Sequence, residues 1–257
     1  MISALVIAYN QEKYIEDCLK GILNQTYKDQ EIIISDDCST DGTWEIIKSY
    51  EDRLWKAFPL VRIFRQPKNL GLKGRNNIKF VSSLVGDTDF VQICDGDDYY
   101  KPEKSEVQLN WFKEQSKKSE DHHFIKPEYG FVYSNWDLIE NGNFIANGQH
   151  ARGLATPVGN IRGHFKNGNF IMTCTIMVRT EIFKRAFDFQ KFTDLGILTG
   201  DYACFAQASK LTKFGYINES LAVYNSYRNS TISKPETRHL YEEDFNRVRE
   251  YIINETI

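Results

Sequence analysis

Four short apolar runs, ISALVIA, QEIIIS, LVRIF and DFVQIC, alternate with helical stretches over the first hundred residues. No other feature restricts the fold as strongly. Runs this rich in β-branched residues suit strands buried on both faces. Between them, Glu12 to Asn24 predicts a helix with Tyr14, Ile15, Cys18, Leu19 and Ile22 on one face. Asp41 to at least Tyr50 predicts a second helix, and Lys73 to Val85 a third. Strands separated by helices predict a parallel sheet covered on both sides. Right-handed crossovers would make it a Rossmann-like half.

The rest of the chain is less regular. Pro102 opens a helix, at its tolerated first turn, that runs to about Lys117. The polar stretch KKSEDHHFIKPE reads as a surface connection, and its His122 and His123 as solvated residues of a loop. GFVYSN and TCTIMV predict strands, and Thr180 to Phe187 and Asp201 to Lys210 predict helices. Asn141 to Asn169, rich in Gly and Asn, reads as loop with short strands. Glu236 to Ile253 predicts a terminal helix whose Leu240, Phe245, Val248, Tyr251 and Ile252 recur at helical spacing. Docking onto the domain is the default for that face, and a membrane-surface or partner contact stays open. There is no internal repeat.

Composition narrows the function classes. A chain of 257 residues with 41% hydrophobic and 14% aromatic residues can build a packed core, which excludes disorder as its main state. A net charge of −3 lacks the basic excess of a nucleic-acid binder, although a local pocket for a small anion stays open. Five cysteines, Cys18, Cys38, Cys94, Cys174 and Cys204, are widely spaced and contain no CxxC. They fit reduced thiols of a cytoplasmic protein better than a disulfide framework or a zinc site. MISALVIAYNQEKY lacks a basic n-region and a cleavage site, so it reads as a first strand. No apolar run approaches the roughly 18 residues needed to span a bilayer.

Two acidic clusters follow strands: Asp36-Asp37 after EIII, and Asp95-Gly96-Asp97-Asp98 after FVQIC. Ligands of open parallel sheets sit beyond the carboxyl ends of the strands, so both clusters are expected to line one crevice. Like charges this close repel and raise each other's pKa. A divalent cation would relieve that, since Mg²⁺ or Mn²⁺ takes one or two carboxylates plus substrate phosphates. The plainer alternative is a turn, with Asp98 capping the following helix. Placement after a buried strand, with a second acidic pair after a neighbouring strand, favours the cation. DDCSTDGTWEIIK fails as a calcium loop because Lys48 stands where a bidentate Glu is needed; Asp41 reads instead as a helix N-cap. Gly71, Lys73, Gly74 and Arg75 then open the third helix, where glycines, free N–H groups and cations suit a diphosphate or the edge of a base. Simple solvation of Lys73 and Arg75 is the alternative. Neither GxxxxGK[ST] nor GxGxxG occurs.

SALVIAYNQEKYIEDCLKGILNQTYKDQEIIISDDCSTDGT, NLGLKGRNN and FVQICDGDDYYKPEK together resemble family 2 glycosyltransferases, which have the GT-A fold. The likeness is dense over about the first 105 residues and continues in TGDYACF and LAVYNSYRNSTIS. It implies inverting transfer of a sugar from a nucleotide donor, most often a UDP-sugar, to a hydroxyl of a saccharide, lipid-linked or glycoconjugate acceptor. It also implies a setting in surface polysaccharide, lipopolysaccharide or glycoprotein glycan assembly. By the resemblance Tyr9 packs near the nucleobase, Asp37 accepts a hydrogen bond from it with Asp36 alongside, and Arg75 or Lys73 helps bind the nucleotide. Asp95 would meet the ribose or the metal, Asp97 would coordinate Mn²⁺ or Mg²⁺, and Asp201 would be the catalytic base. Relatives often carry Arg-x-His late in the chain, where this sequence has Asn225 and Tyr227; Arg228 is a substitute diphosphate contact or an ordinary surface residue.

The expected organisation is one GT-A domain over 1–257: a nucleotide-sugar half (1–120), an acceptor and catalytic half (121–235) and a C-terminal helix (236–257). Tyr133 and Trp136 are candidates for stacking on an acceptor sugar, with core packing the commoner fate. His150 and His164 lie in the probable acceptor loops. A metal-dependent nucleotidyltransferase should carry a Gly-rich basic loop after the first strand, where Tyr9-Asn10-Gln11-Glu12 stand instead. DGDDYY lacks a phosphohydrolase nucleophile motif. A binding protein without turnover is the remaining rival, kept open by Asn225 and Tyr227.

Overall fold

A computed structural model describes residues 1–71, 74–120, 129–197, 199–226 and 235–254, in places as backbone alone. The expected alternation is present. It runs β1 (Ile2–Ala8), α1 (Ile15–Leu23), β2 (Gln30–Asp36), α2 (Thr43–Ala57), β3 (Leu60–Arg65), α3 (Arg75–Ser83) and β4 (Phe90–Asp95). These strands lie in the order β3-β2-β1-β4, all parallel. Their side chains divide with a period of two. Leu5, Ile33, Val91 and Ile93 enter one core with Ile78 and Val81 of α3. Ala4, Val6, Ile32 and Ile34 enter the other with Leu19 of α1 and Ile47 of α2. Burial on both faces is why the runs are continuously apolar.

The second half is β5 (Tyr99–Tyr100), α4 (Lys104–Glu120), β6 (Tyr129–Glu140), β7 (Asn143–Ile145), α5 (Gly148–Ala151), β8 (Ile176–Arg179), α6 (Thr180–Ala186), α7 (Phe189–Asp194), α8 (Gly200–Leu211), β9 (Lys213–Ser226) and α9 (Pro235–Asn254). It extends the sheet as β4-β8-β6-β9-β5, with β7 beside β6, in mixed orientation. Three elements differ from the sequence reading. GFVYSN is the start of a 12-residue strand, because β6 continues through Trp136 by changing register against β9 at Ser134 and Asn135. KFGYINESLAVYNS, with a polar centre that hides its strand character, is the 14-residue β9. In TCTIMV only Ile176 onward is strand; Thr173–Thr175 form a 3₁₀ turn.

Trp136 and Tyr133 are core residues, 1% and 0% exposed, so neither is a stacking platform for a sugar. Trp136 Nε1 donates to Gln149 Oε1 at 2.8 Å and the Tyr133 hydroxyl to the Pro157 carbonyl at 2.8 Å. Val248 and Tyr251 dock α9 onto the α3-side core, and Phe245 packs edge-on against Tyr202. Among the described residues, no helix is long and apolar enough to cross a membrane.

Candidate active site

The site is built around the carboxyl end of β1. In register, Ala8 lies beside Asp36 of β2, and Ile7 beside Asp95 of β4. Two acidic clusters therefore leave the sheet at the same level on either side of β1, roughly 10 Å apart at two strand spacings.

On the β2 side the chain is held by its own backbone. The Asp37 N–H donates to the Ala8 carbonyl at 2.8 Å, while Asp37 Oδ1 accepts from the Leu70 N–H at 2.8 Å. Burial pushes the Asp37 carboxyl above its ordinary range, the Leu70 N–H opposes that, and Asp36 adds to it. Asp36 is fully buried and braces the turn, accepting from the Ser39 N–H at 3.0 Å and from the Ser39 hydroxyl, with Arg65 Nε 3.6 Å away. Asp37 is 1% exposed, so both carboxyls are buried at the end of β2. Tyr9, at the tip of β1, leaves 45% of its surface exposed. Asp41 sits one residue before the cap position of α2, which is Gly42, and braces the turn by accepting from the Thr43 N–H at 3.0 Å and the Glu12 N–H at 3.1 Å.

On the β4 side the acidic run is a tight turn. Gly96 N–H donates to the Ile7 carbonyl at 2.8 Å, and Asp98 N–H to the Asp95 carbonyl at 2.9 Å. A Cβ on Gly96 would stand 2.5 Å from Gln11 Oε1 and 3.1 Å from the Ile7 carbonyl oxygen, so close approach demands glycine here. Asp98 does not cap α4. It is buried, and its Oδ1 accepts from the Asn225 N–H of β9 at 3.0 Å. Asp95 and Asp97 keep partly exposed edges. Burial first, then the charges of Asp97 and Asp201, push Asp95 up to about 7.

Asp201 is thus near enough for its charge to act on Asp95. Asp201 is the second residue of α8, whose cap position is Thr199, so it is not the N-cap. Asn169 Nδ2 donates to Asp201 Oδ2 at 3.1 Å and fixes the carboxyl from the opposite loop. Burial raises the Asp201 pKa, opposed by the N–H groups of the helix's first turn. Arg75, the first residue of α3, is not a solvated side chain. It is 5% exposed and turned towards α7, with Nη1 3.5 Å from Thr193 Oγ1. Among the described residues, its Nε and Nη2 have no hydrogen-bond partner. Burial lowers its pKa, while Asp244 and Asp201 support its charge. Lys73, Tyr227 and Arg228, with His122 and His123, lie outside the described residues.

The donor set fits a divalent cation in one respect. Asp95 and Asp97 carry hard oxygen donors, and the Asp97 charge adds to the burial that raises Asp95 to about 7. Among the described residues no group of three acidic, His or Cys side chains forms a complete cage. Mg²⁺ and Mn²⁺ take one or two carboxylates together with substrate phosphates. Asn169, Asn225 and Thr199 are contributors that no motif in the sequence marked for these contacts.

The pattern described as Glycosyl transferase family 2 matches residues 3–187. The chain belongs to this family. It is 34% identical over 116 residues to the putative teichuronic acid biosynthesis glycosyltransferase TuaG of Bacillus subtilis (strain 168), covering 45% of this chain and 43% of that protein. It is 28% identical over 183 residues to the UDP-Glc:alpha-D-GlcNAc-diphosphoundecaprenol beta-1,3-glucosyltransferase WfaP of Escherichia coli, covering 71% of this chain and 62% of that one. The match thus spans less than two thirds of the length of either relative. Among solved structures, S. aureus TarS 1–349 in complex with UDP-GlcNAc superposes with a TM-score of 0.69 at 16% identity, covering 99% of this chain and 66% of that one. The mannosyltransferase PcManGT from Pyrobaculum calidifontis, in complex with GDP-Man and Mn²⁺, gives 0.57 at 14% identity, covering 87% and 56%. These likenesses establish the GT-A fold of the family, as the sequence resemblance implied.

Proposed function

We propose that the protein is an inverting glycosyltransferase that moves a sugar from a UDP-sugar to a hydroxyl of a saccharide or lipid-linked acceptor in surface polysaccharide assembly. The observation that supports this reading is that Asp36 and Asp95 end the two strands flanking β1 at one level, with the charges of Asp97 and Asp201 acting on Asp95. The relatives' printed activities, a UDP-Glc-dependent glucosyltransferase acting on a diphosphoundecaprenol-linked sugar among them, support the donor class and the setting.

Tyr9 offers an exposed ring for the nucleobase, and Asp37 accepts a base N–H. Asp95 and Asp97 would hold the divalent cation, which would supply positive charge to the donor diphosphate. Lys73, Arg75 and Arg228 remain the candidates for further phosphate contacts. Asp201 accepts the proton of the acceptor hydroxyl as its oxygen bonds to the anomeric carbon and the bond to the diphosphate oxygen breaks. One base suffices for this displacement, which inverts the anomeric centre. Burial raises the basicity of Asp201, and Asn169 holds its Oδ2. An acceptor on a lipid carrier would bring the protein to the inner face of a membrane as a peripheral enzyme.

The deciding experiment measures the thermal shift with UDP-, GDP- and dTDP-sugars, with Mn²⁺ or chelator, alongside release of the nucleoside diphosphate. Mn²⁺-dependent stabilisation by UDP-sugars and slow UDP release are expected. Stabilisation by no nucleotide, in a folded protein, would overturn the reading.

A further inference from the structure

The family pattern stops at residue 187, yet the described structure continues through a long terminal helix that reaches back to the crevice. One of its contacts is made by a carboxylate. Asp244 of α9 is 0% exposed. Its Oδ2 accepts from both the N–H and the hydroxyl of Thr199, each at 2.5 Å. Thr199 is the cap position of α8 and stands two residues before Asp201. A buried carboxylate accepting two hydrogen bonds from one residue fixes that residue's backbone as well as its side chain. The first turn of α8 is therefore set from α9, more than forty residues further along the chain.

A second observation, independent of the hydrogen bonds, points the same way. The buried guanidinium of Arg75 lies under the influence of two carboxylates, and Asp244 acts on it more strongly than Asp201 does. Nε of Arg75 would stand only 3.7 Å from a Cβ on Gly200, the residue between Thr199 and Asp201. A buried cation with one anionic neighbour draws that neighbour to itself. With Asp244 sharing its charge, Arg75 is balanced from the α9 side, and the Asp201 carboxyl can face the crevice and Asn169.

We propose that Asp244 is a positioning residue for the transfer reaction: through Thr199 and Arg75 it holds the first turn of α8 so that the Asp201 carboxylate points at the acceptor hydroxyl. The inference rests on the assignment of Asp201 as base. It makes α9 part of the catalytic arrangement and not an appended helix.

The test uses the full chain, with UDP-glucose and UDP-N-acetylglucosamine as donors, water as acceptor, UDP release as the rate, and UDP binding by calorimetry in Mn²⁺. D244A is expected to lower kcat about 10- to 100-fold, the range for a base displaced by about an ångström, with the UDP Kd changed less than about threefold. D244N, which keeps an acceptor oxygen for Thr199, should recover part of the loss. T199A should lower kcat, and T199S should recover most of what T199A loses. In a D201N background, D244A should add less than about a twofold further loss, because both changes act through one group. If D244A does not fold, T199A against T199S decides, since both keep the Asp244 and Arg75 charges; equal rates for the two overturn the proposal. It is also overturned if D244A weakens UDP binding as much as it lowers kcat. Wild-type turnover in D244A and T199A with an inactive D201N sinks this inference alone. Wild-type turnover in D201N sinks the base assignment and this inference with it.

Discussion

The backbone N–H of Asn225, near the end of β9, donates to Asp98 Oδ1 at 3.0 Å, and its side-chain amide donates to the carbonyl of Asp97. Two-residue pairing of β5 with β9, Tyr99 beside Val223, brings the strands close enough for this clip. Asn225 stands where relatives of the family often carry the Arg of Arg-x-His; here it holds the turn that carries Asp97 and Asp98.

Asn225→Ala keeps the backbone bond and loses the side-chain bond. Intrinsic stability should fall by about 1 kcal/mol, the usual net worth of one hydrogen bond. The Mn²⁺-dependent part of the UDP-induced thermal shift should fall further than the shift with UDP alone. Asn225→Asp would place another carboxylate beside Asp97 and Asp98, and should lower stability more than Ala does. Melting curves with and without Mn²⁺ and UDP check both statements.

Asp201→Asn removes the proton acceptor and leaves the shape and the Asn169 neighbour. Turnover should drop about 10²- to 10⁴-fold while UDP affinity in Mn²⁺ stays within about threefold. Single-turnover UDP release and calorimetry on the same preparation separate the two effects. Parallel losses in both would contradict a base role.

The paired aspartates after β2 and the turn after β4 should respond oppositely. Asp97→Ala should abolish the Mn²⁺-dependent part of donor binding with little change in the melting temperature of the free protein. Asp36→Ala strips the buried Ser39 hydroxyl and N–H of their acceptor and should lower stability by about 1–3 kcal/mol. Denaturant unfolding of the free protein, beside metal titration with UDP, distinguishes them.

Lys104 gives a pH signature unrelated to the crevice. It is fully buried, donates to Gln108 Oε1 at 2.9 Å and the Ile176 carbonyl at 3.0 Å, and lies over the Tyr100 ring. Burial lowers its pKa from 10.5 to about 7. Between those values the unfolded chain binds a proton that the folded chain does not, so this group makes stability rise with pH from about 7 to about 10.5, by at most about 1.4 kcal/mol per pH unit. Lys104→Met should remove that rise. Chemical denaturation of both proteins at several pH values across the window measures the difference, and identical slopes would contradict the buried, neutral amine.

Gly21 of α1 touches β5 directly. A Cβ there would stand 2.8 Å from the Tyr100 carbonyl oxygen and 3.0 Å from its nitrogen, atoms of a backbone that cannot rotate away. Gly21→Ala should therefore lower stability by about 1–3 kcal/mol, against the small gain that Ala gives in an open helix position. Denaturant midpoints check the sign.

The sequence by itself determined the parallel half and the acidic and basic residues that end its strands. Continuous apolar runs such as EIII can be buried only on both faces, so a parallel sheet covered by helices was legible from period and composition, while the β3-β2-β1-β4 order came with the fold. Asp37, Asp95, Asp97 and Asp201 are marked in the sequence by short motifs that travel with the family; their burial and partners came only with the fold. The second half was decided by tertiary structure. β9 has Asn218 and Glu219 in its middle, and only pairing with a register-shifting β6 makes it a strand. The burial of Arg75 against α7 and α8, and the bonds from Asn169, Asn225 and Asp244, join residues tens to more than a hundred positions apart. Each of these polar residues is ordinary in its local context. What they do follows from which partner the closed fold leaves within about 3 Å of a buried donor or acceptor, and that distance has no local signature in the chain.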